Sequence, residues 1–377
     1  MAARPAPVVR AAPHVVAQSA PSLVASLSLR MEPAPAIDAS PVVSPSTSAK
    51  APSKPATEAI PAPSAGAAAE VEEGDVPNEP CANAAAGSEL WIVSTRNLPI
   101  DRDCCAPRFA PGVMRFICGR GFVPSSLTAL IADEDPERPT IIFVHGNDNE
   151  ADDAAETGID LYNRLLSSRC AAPIRLIVWS WPSEEVVKCV RKDARIKACR
   201  TNIEGYFLAA FLDLLPPQIH VGVAGYSYGA RVVTGGLHVL GGGTLEGRRL
   251  AERKHADRDT LRCVLMAAAM DNTWLLPGMR HERAVSQVQR MVITISRVDP
   301  VLYFYPMLWG CGGPDALGAT GLINAGSLGP EAMKTAHVDV TQAVHRRHGW
   351  DNFAESPEIM SLLRHELMHW PAAVAAP

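Results

Sequence analysis

From Leu90 onward, short apolar runs alternate with longer amphipathic stretches. LWIVST (90–95), LTALIAD (127–133), TIIFVHG (140–146), IRLIVWSW (174–181), IHVGVAG (219–225), LRCVLMAAA (261–269) and MVITIS (291–296) are mostly β-branched and apolar at successive positions. That is the pattern of strands covered on both faces. Between them, EADDAAETGIDLYNRLLSSR (150–169) opens with acids suited to a helix N-terminus and puts Ile159, Leu161, Tyr162 and Leu165 at helical spacing. NIEGYFLAAFLDLL (202–215) does the same with Ile203, Phe207, Phe211 and Leu214. The alternation predicts an α/β fold, a mostly parallel, doubly wound sheet with helices on both faces. Ligands of such sheets bind beyond the carboxyl ends of the strands, so candidate chemistry is sought there.

The pattern stops at the N-terminal side. Residues 1–87 are Ala, Pro, Ser and Val with little else and contain no Phe, Trp or Tyr. Without large side chains such a segment cannot offset its ordering entropy, which predicts a disordered tether ahead of one domain over 88–377. Arg4, Arg10 and Arg30 suggest a targeting segment, but Pro5, Pro7, Pro13 and Pro21 interrupt any apolar core for one. The net charge of −5, with both signs interspersed, gives no reason to expect nucleic acid as a partner. No apolar stretch approaches the ~18 residues of a membrane span. Nine cysteines without a C-x-x-C pair make a metal cluster or a complete disulfide framework a poor expectation. The cytoplasm is the default compartment, and the sequence leaves the oligomeric state open.

Ser227 changes the picture. It sits in GYSYG (225–229), directly after an apolar strand and directly before GARVVTGGLHVL, whose Ala230, Val233 and Leu237 continue at helical spacing. Strand, sharp turn and helix are the setting of a nucleophile elbow, which exposes the serine hydroxyl and puts the next backbone N–H at a helix N-terminus. A serine needs a base and a group to orient that base. Asp299 follows MVITIS in RVDPVL and is the expected acid, with Asp271 in AAAMDNTW as its rival. His348, in a Gly-adjacent loop before a helix, is the expected base, with His345 and His337 as neighbours that could take its place. Backbone N–H groups of Tyr228 and Asn147 are the expected oxyanion donors. His145, Gly146 and Tyr226 are expected against the substrate.

The succession IIFVHGND, LIVWSWPS, VGVAGYSYGARVV, ITISRVDPVL and HGWDNFAESPEIMSLL resembles the α/β-hydrolase superfamily. Within it, the chain is similar to a bacterial esterase/lipase-like group of unknown function, over roughly residues 89–370. The resemblance implies an α/β-hydrolase fold and cofactor-free serine hydrolysis of an acyl ester, with Ser227 as nucleophile, His348 as base and Asp299 as acid. That group usually carries His before the nucleophile and Met after it, where this chain has Tyr226 and Tyr228.

Other readings compete. His365-Glu366-Leu367-Met368-His369 spells the H-E-x-x-H of zinc peptidases. Only WPAAVAAP follows to supply a third ligand, and helical periodicity puts both histidines opposite the stripe Ile359, Leu363, Leu367 and Trp370, so no metal site is expected. A hydrolase fold kept for binding, without catalysis, is the second alternative. The run VVKCVRKDARIKACR (186–200) could recognise an anionic substrate or partner, although Lys188, Arg191, Lys192, Arg195 and Lys197 read first as the wet side of a helix near the site.

Overall fold

The chain forms a single mixed sheet in the computed structural model, which describes residues 86–370 apart from 101–106, 133, 134, 136, 168–171, 255–259, 310 and 311. Its strands are β1 (Glu89–Ser94), β2 (Gly112–Ile117), β3 (Gly121–Ser125), β4 (Thr140–Val144), β5 (Arg175–Ser180), β6 (Val221–Tyr226), β7 (Leu261–Met266), β8 (Arg290–Ile295) and β9 (Thr335–Asp339). They lie in the order β3-β2-β1-β5-β4-β6-β7-β8-β9. β2 pairs antiparallel with β1 and β3, and every other pairing is parallel. The described residues belong to one compact unit, Glu72–Pro377. The tether expected over 1–87 lies outside the described residues, except for its last two positions.

The helices are α1 (Leu127–Ile131), α2 (Ala151–Leu166), α3 (Val190–Leu212), α4 (Tyr228–Leu240), α5 (Pro300–Tyr303), α6 (Leu317–Thr320), α7 (Thr341–Val344), α8 (Trp350–Ala354) and α9 (Pro357–Met368). They cover both faces, as the register shows. Phe143 of β4 lies opposite Val178 of β5, so the two share a face. The Phe143 ring meets Trp350 of α8 at 4.6 Å, whereas Trp179, one residue on and therefore on the other face, meets Phe211 of α3 at 5.7 Å. The acids expected to open α2 form a reciprocal cap, with the Glu150 backbone N–H donating to Asp153 at 2.7 Å.

Several elements differ from the expectation. LTALI is not a strand but α1, started by Ser126, whose hydroxyl accepts from the Ala129 N–H at 3.0 Å. A five-residue apolar run does not distinguish the two states, and the serine cap decides here. β2 and β3 lie between LWIVST and LTALIAD, where the apolar pattern marks no strand; both are half-exposed without a continuous apolar run, and β3 forms one edge of the sheet. β9 closes the other edge and alternates in the same way. Cys118 is disulfide-bonded, a bond that the reducing compartment assumed from the sequence disfavours, while Cys189, Cys199 and Cys263 are free. Among the described residues, no helix is long and apolar enough to cross a membrane.

The core also holds a carboxyl group. Glu204 of α3 is fully buried, with one oxygen accepting from Thr95 Oγ1 at 2.7 Å and Trp179 Nε1 at 3.3 Å and the other unpartnered. Burial raises its pKa to about 7, against the lowering effect of those two donors. A folded-state value above the unfolded one leaves stability intact below about pH 4.5 and erodes it as pH rises through about 7, by of order 3 kcal/mol. Glu204→Gln is therefore expected to match the parent chain in thermal melting near pH 4.5 and to melt several degrees higher at pH 8. A pH-independent difference would contradict this account.

Candidate active site

Ser227 joins β6 to α4 in a conformation that non-glycine residues avoid, φ 52° and ψ −115°. Such backbone costs about 1–3 kcal/mol and persists only where its surroundings impose it. They do so here from three sides. The Ser227 N–H donates to the Met266 carbonyl at 2.9 Å, and its own carbonyl accepts from Ala230 at 3.1 Å and Ala269 at 3.3 Å. A Cβ on Gly225 would lie 2.8 Å from the Ala230 nitrogen, and one on Gly229 would overlap the carbonyl of Val144. The two glycines flanking the serine thus let α4 start against both β6 and β4.

The serine hydroxyl has a partner. Ser227 Oγ lies 3.0 Å from His348 Nε2, and His348 Nδ1 lies 2.7 Å from Asp299 Oδ2. Asp299 is buried, and its other oxygen accepts from the N–H groups of Val301 at 2.9 Å and Leu302 at 3.2 Å, capping α5. With one oxygen fixed by the cap, the other points at the imidazole. The acceptor at Nδ1 selects the tautomer whose bare Nε2 faces the serine, the geometry needed to remove its proton.

The rival residues are engaged elsewhere. Asp271 accepts from Trp274 Nε1 and from the Tyr305 hydroxyl, each at 2.6 Å. His337 Nε2 accepts the Leu322 N–H at 3.0 Å, and His345 is an exposed residue ending α7. The zinc-type motif is split. Glu366 is buried and bound to Arg290 at 3.0 Å, His365 is exposed, and His369 lies beyond the end of α9 in extended backbone. No group of three potential metal ligands occurs among the described residues.

Around the serine, the structure corrects two assignments and explains a third. His145 does not reach the substrate space. It is buried against Trp181, its Nδ1 bonds the Gly146 carbonyl at 3.0 Å, and its Nε2 accepts the Trp181 N–H at 3.2 Å. Burial holds its pKa down to about 3, so it is a neutral brace for the loop after β4. Gly146 likewise lies beneath the site, where a Cβ would come within 3.0 Å of the Tyr226 ring and 3.1 Å of Ser227 Cβ. Tyr226 does line the cleft, and its hydroxyl donates to the backbone carbonyl of His348. Burial, reinforced by Asp299 and Asp351, raises its pKa far above the ordinary phenol range, so the hydroxyl stays a donor. With its ring 5.4 Å from Trp350 and 5.5 Å from Phe353, Tyr226 fixes the loop that carries the imidazole.

Tyr228 is the first residue of α4, so its N–H has no acceptor within the helix. Asn147 lies on the same cleft in the turn after β4, and the following residue, Asp148, has φ 55°. That turn is held by Lys197, a buried side chain bonded to Asp148 and, at 2.6 Å, to Asp193. Lys197 is therefore not part of the wet face that its neighbours form. Its signal in the sequence was an acid four residues earlier on one helix, Asp193, which hid among several charges.

The cleft holds about 600 Å³, within the range of small-molecule sites. Its walls are mainly apolar, with Val190, Ala194, Val301, Phe304, Leu308 and Trp350 prominent. The residues of 300–308 that supply one wall, Pro300, Val301, Phe304, Tyr305 and Leu308, were not anticipated. They belong to two short helical turns that start at a proline and carry no periodic signal. Beneath them, the Tyr305 hydroxyl accepts from buried Arg231 at 3.1 Å while donating to Asp271, which explains where the rival acid belongs.

No protein-family model matches this chain, and no curated protein matches it either.

Three substitutions test the assembly. Asp299→Asn keeps an oxygen for the α5 cap but presents an amide N–H to His348. It is expected to leave melting nearly unchanged and to lower any turnover that depends on Ser227 roughly 10³–10⁴-fold, whereas Asp271→Asn should lower stability more than rate. Tyr226→Phe removes only the tether on His348 and is expected to reduce kcat about tenfold with KM within about twofold. A change in melting with unchanged kcat would reduce Tyr226 to a packing residue.

Proposed function

We propose that this chain is a serine hydrolase of the α/β-hydrolase fold that cleaves a carboxylic ester or related acyl bond without a cofactor. The hydrogen-bonded series Ser227–His348–Asp299 at the carboxyl ends of β6 and β8 carries the reading. In it, His348 Nε2 accepts the serine proton as Oγ adds to the acyl carbon, and Asp299 stabilises the imidazolium that forms. The carbonyl oxygen takes up the electron pair facing the N–H groups of Tyr228 and Asn147. When the tetrahedral adduct collapses, His348 returns the proton to the leaving alcohol. Water, deprotonated by the same imidazole, then releases the acid and restores the serine.

The strained turn at Ser227 supports the reading independently, since backbone strain at a cleft concentrates where a group must be presented. The apolar walls favour an acyl substituent over a charged one.

A fluorophosphonate probe is expected to label the full chain, to do so equally in the presence of a chelator, and to fail on Ser227→Ala. Labelling that survives in that variant would reject Ser227 as nucleophile. Absence of labelling in a folded chain would favour a binding protein built on the same scaffold.

A further inference from the structure

The mouth of the cleft is surrounded by apolar side chains that stand exposed among the described residues. Val190 is 81% exposed, Tyr303 71%, Met307 60%, Phe304 56% and Val301 51%. They come from two segments that the structure joins, because Arg191 and Arg195 both donate to the Leu308 carbonyl, at 3.3 and 2.6 Å. The start of α3 is thereby fastened beside the turn at 305–308. Large exposed side chains scattered singly need no explanation, but a contiguous group around a site opening marks a contact surface.

The charges beside this group are one-sided. On 184–197, Glu184 is paired with Arg96, and Asp193 is spent on Lys197. Lys188, Arg191, Lys192 and Arg195 then stand against Glu185 alone. On the other segment, Asp299 is buried under His348. This basic belt belongs to a chain with a net charge of −5, so it is local and not a reflection of overall composition.

We propose that the ring Val190, Val301, Tyr303, Phe304 and Met307, with its belt of Lys188, Arg191 and Lys192, docks on an anionic phospholipid bilayer. The substrate is then an amphiphile whose acyl chain passes from that surface into the cleft. An apolar ring inserts at the acyl boundary while basic side chains meet the headgroups. A protein seated on the same ring would close the cleft, whereas a bilayer delivers its own lipid into it. The substrate half of this proposal rests on the serine-hydrolase reading, and the docking half does not.

The two halves separate by experiment. The full chain carrying Ser227→Ala, so that no lipid is consumed, is sedimented with vesicles of phosphatidylcholine alone and of phosphatidylcholine with about 30% phosphatidylglycerol. Partitioning is expected to be at least about tenfold stronger on the anionic vesicles. Lys188→Glu with Lys192→Glu should abolish that preference, and Tyr303→Ser with Met307→Ser should weaken binding about tenfold to both compositions. In the Ser227 background, the Tyr303/Met307 double variant should turn over a soluble acetate ester within about twofold of the parent chain, because neither side chain lines the cleft. Equal partitioning onto both compositions, or indifference to both double variants, overturns docking. So does a dimer in the absence of vesicles that Tyr303→Ser with Met307→Ser dissolves, since the ring would then belong to a second copy of the chain. Vesicle binding together with no ester turnover by the parent chain upholds the surface and overturns the substrate assigned to it.

Discussion

Steric exclusion around one backbone turn underlies the rest of the site. Ser227 can hold φ 52° only because Gly225 and Gly229 let α4 begin where side chains would collide with Ala230 and with the carbonyl of Val144. That contact ties the serine to β4 as well as to β6, so the loop after β4, with Gly146 pressed beneath Ser227, is registered against the same point. The hydroxyl, the first N–H of α4 and the turn at Asn147 are consequently fixed relative to one another by packing before any ligand is present. Preorganisation of this kind lets weak donors act on charge as it develops.

A second level of organisation lies in side chains that hold the loops around the cleft. His145 braces the loop after β4 from below as a neutral imidazole, and Lys197 fastens its tip through Asp148. Tyr226 fastens the His348 loop, while Arg231, Tyr305 and Asp271 form a polar chain beneath the opposite wall. All are buried or nearly so, and each spends its hydrogen-bonding capacity on a segment without regular structure. The two tyrosines that flank the serine in sequence therefore do different work. Tyr226 stabilises the position of the base, while Tyr228, whose hydroxyl donates to the Ala194 carbonyl at 3.1 Å, closes the cleft against α3.

Much of the scaffold was legible because buried parallel strands leave an unbroken apolar signature and their order limits the topology. All of the expected strands from TIIFVHG to MVITIS are observed, with their polar sequels at the carboxyl ends. Ser227 and Asp299 could be picked out as candidates for the same reason, each standing just past a strand whose type was plain, whereas His348 was a candidate only as a histidine in a Gly-adjacent loop before a helix. The half-exposed strands β2, β3 and β9 were not, since a half-exposed strand alternates weakly and short ones fall below any periodicity. Nor could adjacency suggest that His145 turns inward. A histidine at a strand end reads alike whether its ring faces the ligand or Trp181, and only packing distinguishes the two. The motif at 365–369 failed for a related reason, because its second histidine lies one residue beyond the helix that would have aligned it with the first.

Asp299 has two attachments, the imidazole through one oxygen and the first turn of α5 through the other. A single carboxylate therefore couples the alignment of the base to the backbone path of a cleft wall. Moving that wall to admit a bulkier molecule would swing the acid away from His348, so the main chain there is not free to drift. Diversification of what this pocket accepts is confined to the side chains mounted on a stationary wall, at Val301, Phe304 and Leu308.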